Sequence, residues 1–185
     1  MIEILDKNIT KIVTVFSLAP GIKLNRKIIK EKTSLSNIIL DKTLSKLTNL
    51  KLLNKERSFF SLNFQNKEIK ETVNKTSEHY TKLKQLPLKE YFMIMDIESE
   101  ILKIKNIGDV YLFGSYSKLI FKENSDIDIA IISNNINRKE LNNLVKKLEY
   151  KYNKNIEVHY FTKNFYNNKR DPLVKEIFQQ GIKLV

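Results

Sequence analysis

Cysteine is absent from the 185 residues, which excludes disulfides, Cys-based zinc sites and thiol chemistry. Long apolar runs are also missing. A stretch such as Ile12 to Ala19 is far too short to cross a bilayer. No signal-peptide pattern opens the chain, and the expectation is a soluble, cytoplasmic protein. There is no internal repeat and no low-complexity tract beyond a bias to Asn. What remains is a basic chain of net charge +12 with 42% apolar residues, enough to core one sizeable domain or two small ones. The wealth of Lys, Asn and Ile is also what an AT-rich genome would produce, so the placement of charge matters more than its sum. Residues 1–90 hold 18 Lys and Arg against 9 Asp and Glu, a net of +9, whereas residues 91–185 hold 15 against 12, a net of +3. Electrostatic attraction for nucleic acid therefore belongs to the first half.

The densest chemistry lies in Val110 to Ile132, VYLFGSYSKLIFKENSDIDIAII. Val110 to Phe113 is a short run of β-formers that leads into Gly114-Ser115. Ile127 to Ile132 is a second strand, preceded by the polar turn Lys122 to Ser125. Strand alternation points Asp126 and Asp128 to one face and Ile127 and Ile129 to the other. Adjacent carboxylates repel unless a cation lies between them, and hard oxygen ligands with open positions suit magnesium carrying substrate phosphates. Gly114 allows close backbone approach, and free N–H groups at the start of a following helix attract anions. The plain alternative is an α/β unit whose two aspartates cap a loop.

Gly-Ser, ten residues, then Asp-x-Asp resembles the signature of the nucleotidyltransferase superfamily that includes DNA polymerase beta, and especially its minimal prokaryotic members. The resemblance rests on Gly114, Ser115, Asp126 and Asp128. It implies an α/β (α+β) palm with a short mixed sheet and a third carboxylate on a neighbouring strand. Asn155 to Phe161 offers Glu157 for that place, with His159 and Phe161 on the same face. A Glu within an apolar strand is costly to bury unless something pairs with it, which a metal shared with the two aspartates would do. His159 reads either as a phosphate or partner contact or as a hydrogen-bonded packing residue. The chain departs from the family pattern after Gly-Ser-Tyr, where relatives carry a small residue, a basic residue and a second Gly. Here Ser117, Lys118 and Leu119 follow. Lys118 keeps the positive charge as a nucleotide-binding candidate, but Leu119 replaces a residue able to take positive φ, so the loop is expected to turn elsewhere, at Asn124.

The basic half has its own layout. Asn8 to Ala19 has helical apolar spacing and stops at Pro20-Gly21. Asn25 to Lys32 makes a short second helix, and Ser34 or Ser36 caps a third that runs to about Asn49. Leu52 to Phe64 then reads as two short strands joined by the charged turn Asn54 to Arg57. This order resembles a winged helix-turn-helix over residues 5–65. The resemblance implies that Ser36, Asn37, Lys42, Ser45, Lys46 or Asn49 faces the major groove of duplex DNA, with Lys55 and Arg57 near phosphates. A small helical domain that binds protein is the alternative.

The expected domains are 1–65, a linker helix within 66–87, and 88–185. Ile69, Val73, Tyr80 and Leu83 give Asn66 to Gln85 a narrow apolar seam with Thr76 in it, a dimerisation signal. Pro87 starts the next helix, Leu88 to about Lys105, expected to pack on the sheet. Arg138 to Lys151 and Asp171 to Gln180 are helices, the latter capped by Asp171 with Pro172 at its first position.

By resemblance, the activity is magnesium-dependent transfer of a nucleotidyl group, AMP from ATP, to a hydroxyl. Asp126, Asp128 and Glu157 would hold two magnesium ions, with the phosphates on Gly114-Ser115 and Lys118. About 24 residues follow the third-carboxylate strand, too few for a second wall, so the expectation is either that a partner chain completes the site or that the enzyme is weak alone. Minimal members often pair with a HEPN ribonuclease and, as antitoxins, attach AMP to a toxin tyrosine. The competing expectations are a DNA-binding regulator with a nucleotide-sensing or inactive domain, and an enzyme acting on RNA ends.

Overall fold

The computed structural model describes residues 6–185, which divide into two compact units, one running to Met95 and the other from Asp96 to Val185.

In the first unit, helix α1 (Lys7–Ser17) begins at Asp6, whose carboxylate accepts from the N–H groups of Asn8 and Ile9. Seven of its residues are buried, and it ends ahead of Pro20 and of Gly21, which takes φ +88°. A two-residue strand, β1 (Leu24–Asn25), leads into α2 (Arg26–Thr33), capped by Asn25. Ser34, at φ 54°, closes α2 in the left-handed region, so Ser36 alone caps α3 (Asn37–Asn49). Leu40, Leu44 and Leu47 of α3 point inward. The strands β2 (Leu53–Glu56) and β3 (Phe59–Leu62) pair antiparallel with Leu53 opposite Leu62 and Glu56 opposite Phe59. The hairpin therefore turns at Arg57 and Ser58, with Arg57 at φ 54°. This is tighter than the expected turn over Asn54 to Arg57, because Asn54 to Glu56 are occupied by ladder bonds. β1 adds to the other edge of β3, so the sheet order is β1-β3-β2.

Helix α4 (Lys67–Lys82), capped by Asn66, packs against α1. Of the seam, Ile69, Thr76 and Leu83 are buried within the unit, while Val73 and Tyr80 are half-buried. Thr76 is satisfied there by donating to the carbonyl of Thr72. After Pro87, helix α5 (Leu88–Ile101) runs across the boundary between the units. It stops short of the expected Lys105, and Leu102 is exposed.

The second unit is built on a mixed sheet of order β6-β5-β4-β7, comprising β4 (Asp109–Phe113), β5 (Ile127–Ile132), β6 (Ile156–Phe161) and β7 (Ile182–Lys183). β5 and β6 are parallel, joined through helix α7 (Arg138–Tyr152), and the other pairs are antiparallel. One face carries Phe113, Ala130 and Ile132 against Phe165, from the turn Lys163–Asn167, and against Val174 and Ile177 of helix α8 (Pro172–Gln180). On the other face, Tyr160 meets α7, its hydroxyl donating to Asn142 Oδ1 at 2.6 Å under the Arg138 guanidinium. Within the second unit, buried Asp96 accepts from Lys151 Nζ at 2.8 Å and from the Tyr152 hydroxyl, both at the end of α7. Among the described residues, no helix is long and apolar enough to cross a membrane.

Candidate functional site

β4 ends at Phe113 and the chain turns at Gly114, which has φ +66°. Its neighbour, as well as the turn, demands glycine: a Cβ at position 114 would lie 1.9 Å from Asp128 Oδ2. The Asp128 carboxylate is thus seated against the backbone of the Gly-Ser turn. Residues Gly114–Ser117 form a single helical turn, α6. At that length the macrodipole is small, so the anion-attracting feature is the local set of backbone N–H groups. The turn is braced by Ser117 Oγ donating to the Gly114 carbonyl at 3.1 Å and by the Ile120 N–H donating to the Ser115 carbonyl at 3.1 Å. Tyr116 is buried beneath it and stacks on Phe121 with ring centroids 4.5 Å apart.

The parallel register sets Asp128 beside Glu157 and Ala130 beside His159. One ligand atom each from Asp128, Glu157 and His159 falls within 4.8 Å of the others, the metal-competent group among the described residues. His159 Nε2 lies 3.3 Å from Glu157 Oε1, and its ring packs edge-on against Phe113. Asp126 is exposed at the entry to β5 and contributes no atom to this group, a departure from the expected pairing of the two aspartates as ligands. It precedes the first ladder residue, Ile127, so strand alternation does not hold it. Glu157 departs from expectation as well. Its side chain is 54% exposed, so burial is no reason for it to seek a cation; register with Asp128 is.

Asp128 is the electrostatically loaded member. Burial raises its carboxyl above the usual carboxylate range, the charge of Glu157 raises it further, and Asp126 and Glu176 add to this while His159 opposes it. Glu176 comes from α8 and escaped the sequence reading, because nothing local to its helix marks it. Its nearness to the turn is set only when α8 packs on the sheet. There it accepts from Lys118 Nζ at 2.6 Å, each side chain about one-third exposed. Lys118 is therefore engaged by a carboxylate, whereas the sequence suggests a lysine open to phosphate. Leu119 takes φ +60° itself, so the loop turns where the family's glycine would turn it, and Asn124 has no such role.

The DNA-contact candidates lie in the first unit. Ser36 Oγ accepts from the Ile39 N–H at 3.4 Å, and Asn37 Oδ1 accepts from Arg26 at 3.1 Å. Lys46 pairs with Asp6 at 3.1 Å, while Lys42 and Arg57 are exposed. Lys55 sits over the Phe60 ring. It lines a cleft of about 440 Å³ with Arg26, Asp41, Ser45, Thr48 and Asn49, so α3 and the hairpin are brought together across one groove.

Residues 95–185 match the family described as Polymerase beta, Nucleotidyltransferase. This part of the chain is a polymerase beta-like nucleotidyltransferase domain. Among solved structures it is similar to a toxin-antitoxin with AMP-PNP, at 28% identity over 48% of this chain and 72% of that one, with a TM-score of 0.35. It is also similar to a mutant of the toxin-antitoxin MntA-HpeT, at 26% identity over 48% of this chain and 71% of that one, with a TM-score of 0.34. No curated protein matches.

Proposed function

We propose that the chain is a magnesium-dependent nucleotidyltransferase that moves AMP from ATP to a hydroxyl on a partner protein, acting as the antitoxin of a HEPN-type toxin. The observation that carries this reading is the contact of the Asp128 carboxylate with the Gly114 backbone, with Glu157 in register beside it. Phosphates on the Gly-Ser turn would lie directly against these carboxylates.

The donor set fits a hard divalent cation. Asp128 and Glu157 offer oxygen ligands from adjacent strands, and Asp128 is held among like charges that a cation relieves. Asp126, exposed beside them, is free to join as the substrate arrives. A cation bound there would neutralise phosphate charge and make an acceptor hydroxyl a better nucleophile. The turn residues themselves orient the phosphates through backbone N–H groups. His159, 3.3 Å from Glu157, fixes that carboxylate's direction.

The test is transfer of label from α-labelled ATP, with magnesium, to a co-expressed partner. Wild type is expected to add AMP. Asp128→Ala and Gly114→Ala are expected to lower transfer by at least about a hundredfold, consistent with loss of a positioned charge-stabilising group. Unchanged transfer by Asp128→Ala overturns the assignment. Label that passes to RNA in place of protein selects the RNA-end reading.

Duplex DNA is proposed as the ligand of the first unit, giving autoregulation. The order α1-β1-α2-α3-β2-β3 with sheet order β1-β3-β2 supports a winged helix. If no transfer is detected while DNA binding is retained, the chain is a regulator with a nucleotide-sensing domain.

A further inference from the structure

The Lys118–Glu176 pair has a consequence for nucleotide entry, and it rests on the nucleotidyltransferase reading above. Lys118 is the one cation in the sequence Gly114 to Phe121, so it is the charge available to that turn for an incoming phosphate. Its ammonium is held at 2.6 Å by Glu176. Lys154, the other cation at the turn, donates to the Glu123 carbonyl and lies over the Tyr116 ring. Three carboxylates, Asp126, Glu157 and Glu176, act on the Asp128 carboxylate here. A polyphosphate arriving at this end of the sheet meets this cluster of carboxylates, and the lysine of the turn that could offset its charge is already paired.

We propose that Glu176 is a resident anion of the nucleotide site: it occupies Lys118 until a phosphate group of the nucleotide replaces it, and so sets the affinity for nucleotide. The geometry suits an exchange. The two side chains are each about one-third exposed, so neither is walled in, and the Lys ammonium is a point charge with rotatable donors that can turn from one oxygen to another. Glu176 sits mid-helix on α8, held by Val174 and Ile177 in the core, so its side chain can swing away without the helix leaving the sheet. Glu176 is accordingly a positioning and specificity residue, and it touches no reacting atom.

The experiment is a double-mutant cycle on the full chain, reading magnesium-ATP and inorganic tripolyphosphate binding by calorimetry and following thermal unfolding to monitor the fold. Glu176→Gln is expected to tighten both ligands about three- to tenfold, the range of a partly exposed charge-assisted pair. Lys118→Ala is expected to weaken both, and in that background Glu176→Gln is expected to change nothing. Glu176→Ser serves as a second variant should the glutamine fail to fold, with the same expectation. Tightening of equal size with and without Lys118 overturns the exchange and leaves only a diffuse field effect. Unchanged or weaker binding by Glu176→Gln, where wild type binds, also overturns it. A wild type that binds no magnesium-ATP removes the nucleotide-site reading itself, a result distinguishable from either of these.

Discussion

Asp128 concentrates the conflict between stability and chemistry in this protein. Its carboxyl is raised above the ordinary 3.8 by burial first and by Glu157 next. A carboxylate raised in the fold binds its proton more tightly there than in the unfolded chain, so stability falls as pH rises through that window. The penalty is absent below the unfolded value and complete above the folded one. Asp128→Asn is therefore expected to raise the thermal midpoint at neutral pH by about 2–4 °C, and the gain should vanish in acid below the carboxylate range. Parallel melts of the two proteins across pH check this, and equal midpoints at neutral pH would count against a strained carboxylate. Leu119 is a second residue held away from its preference. A non-glycine residue in the left-handed region gives up about 1–2 kcal/mol, partly recovered against the unfolded-chain entropy of glycine. Leu119→Gly is expected to be neutral or to stabilise by up to about 1 kcal/mol, and the β-branched Leu119→Val to destabilise, both read by denaturant titration.

Among the elements, α8 carries most for its length, because it covers the sheet with Val174 and Ile177 and delivers Glu176 to the turn. Its start depends on Asp171, whose carboxylate accepts from the N–H groups of Leu173 at 2.8 Å and Val174 at 3.2 Å. Asp171→Ala is expected to lose about 0.5–2 kcal/mol, and Asp171→Asn or Asp171→Ser to lose much less; urea unfolding separates the two outcomes. This cap was legible in the sequence, and Ser36 was one of two candidates there, because capping is chemistry between near neighbours; Asn25, read as the first residue of α2, is instead its cap. β5 was legible for a similar reason: Ile127 to Ile132 is one apolar run with Asp128 set into it, bounded by a polar turn. The strands β1 and β7 were not. Two residues have no pattern, and Leu24–Asn25 and Ile182–Lys183 become strands only because β3 and β4 offer them ladder partners. Glu157 was anticipated beside Asp128 because the family resemblance implies a third carboxylate on a neighbouring strand, but the capture of Lys118 by Glu176 needs a packing that no local spacing encodes. Leu119 misled because propensity is a preference, and a bracing bond from the Ile120 N–H to the Ser115 carbonyl overrides it.

For the molecule as a whole, charge is divided unequally, with net +9 in residues 1–90 against +3 in residues 91–185. In the first unit the acids Asp6, Asp41 and Glu56 are each engaged by a base, Lys46, Arg26 and Lys23 respectively. Lys42 and Lys55 contribute to the remaining positive field, as does Arg57 at the hairpin turn. Binding of the full chain to duplex DNA is accordingly expected to weaken steeply with salt, since each phosphate neutralised releases counterions. Reversing Lys55 and Arg57 to Glu should weaken all sequences alike and flatten the salt dependence by about two contacts' worth. Anisotropy titrations at several ionic strengths measure both, and an absence of binding to any duplex at low salt defeats the DNA proposal.

The pairing of Leu112 with Ile182, with the Leu184 N–H donating to the Val110 carbonyl at 2.7 Å, bears on how the chain comes together in time. In the first unit the hairpin partners Leu53 and Leu62 are close neighbours along the chain, so that unit can nucleate from local contacts and fold quickly. The sheet of the second unit waits for its most distant segment, and until Ile182 arrives the strand Val110 to Phe113 presents an apolar, unpaired edge to any other chain nearby. Substitutions that weaken the pairing of Ile182 with Leu112 are therefore expected to lower the soluble yield, read by comparing soluble and insoluble fractions on expression, even though they leave every carboxylate of the site unchanged.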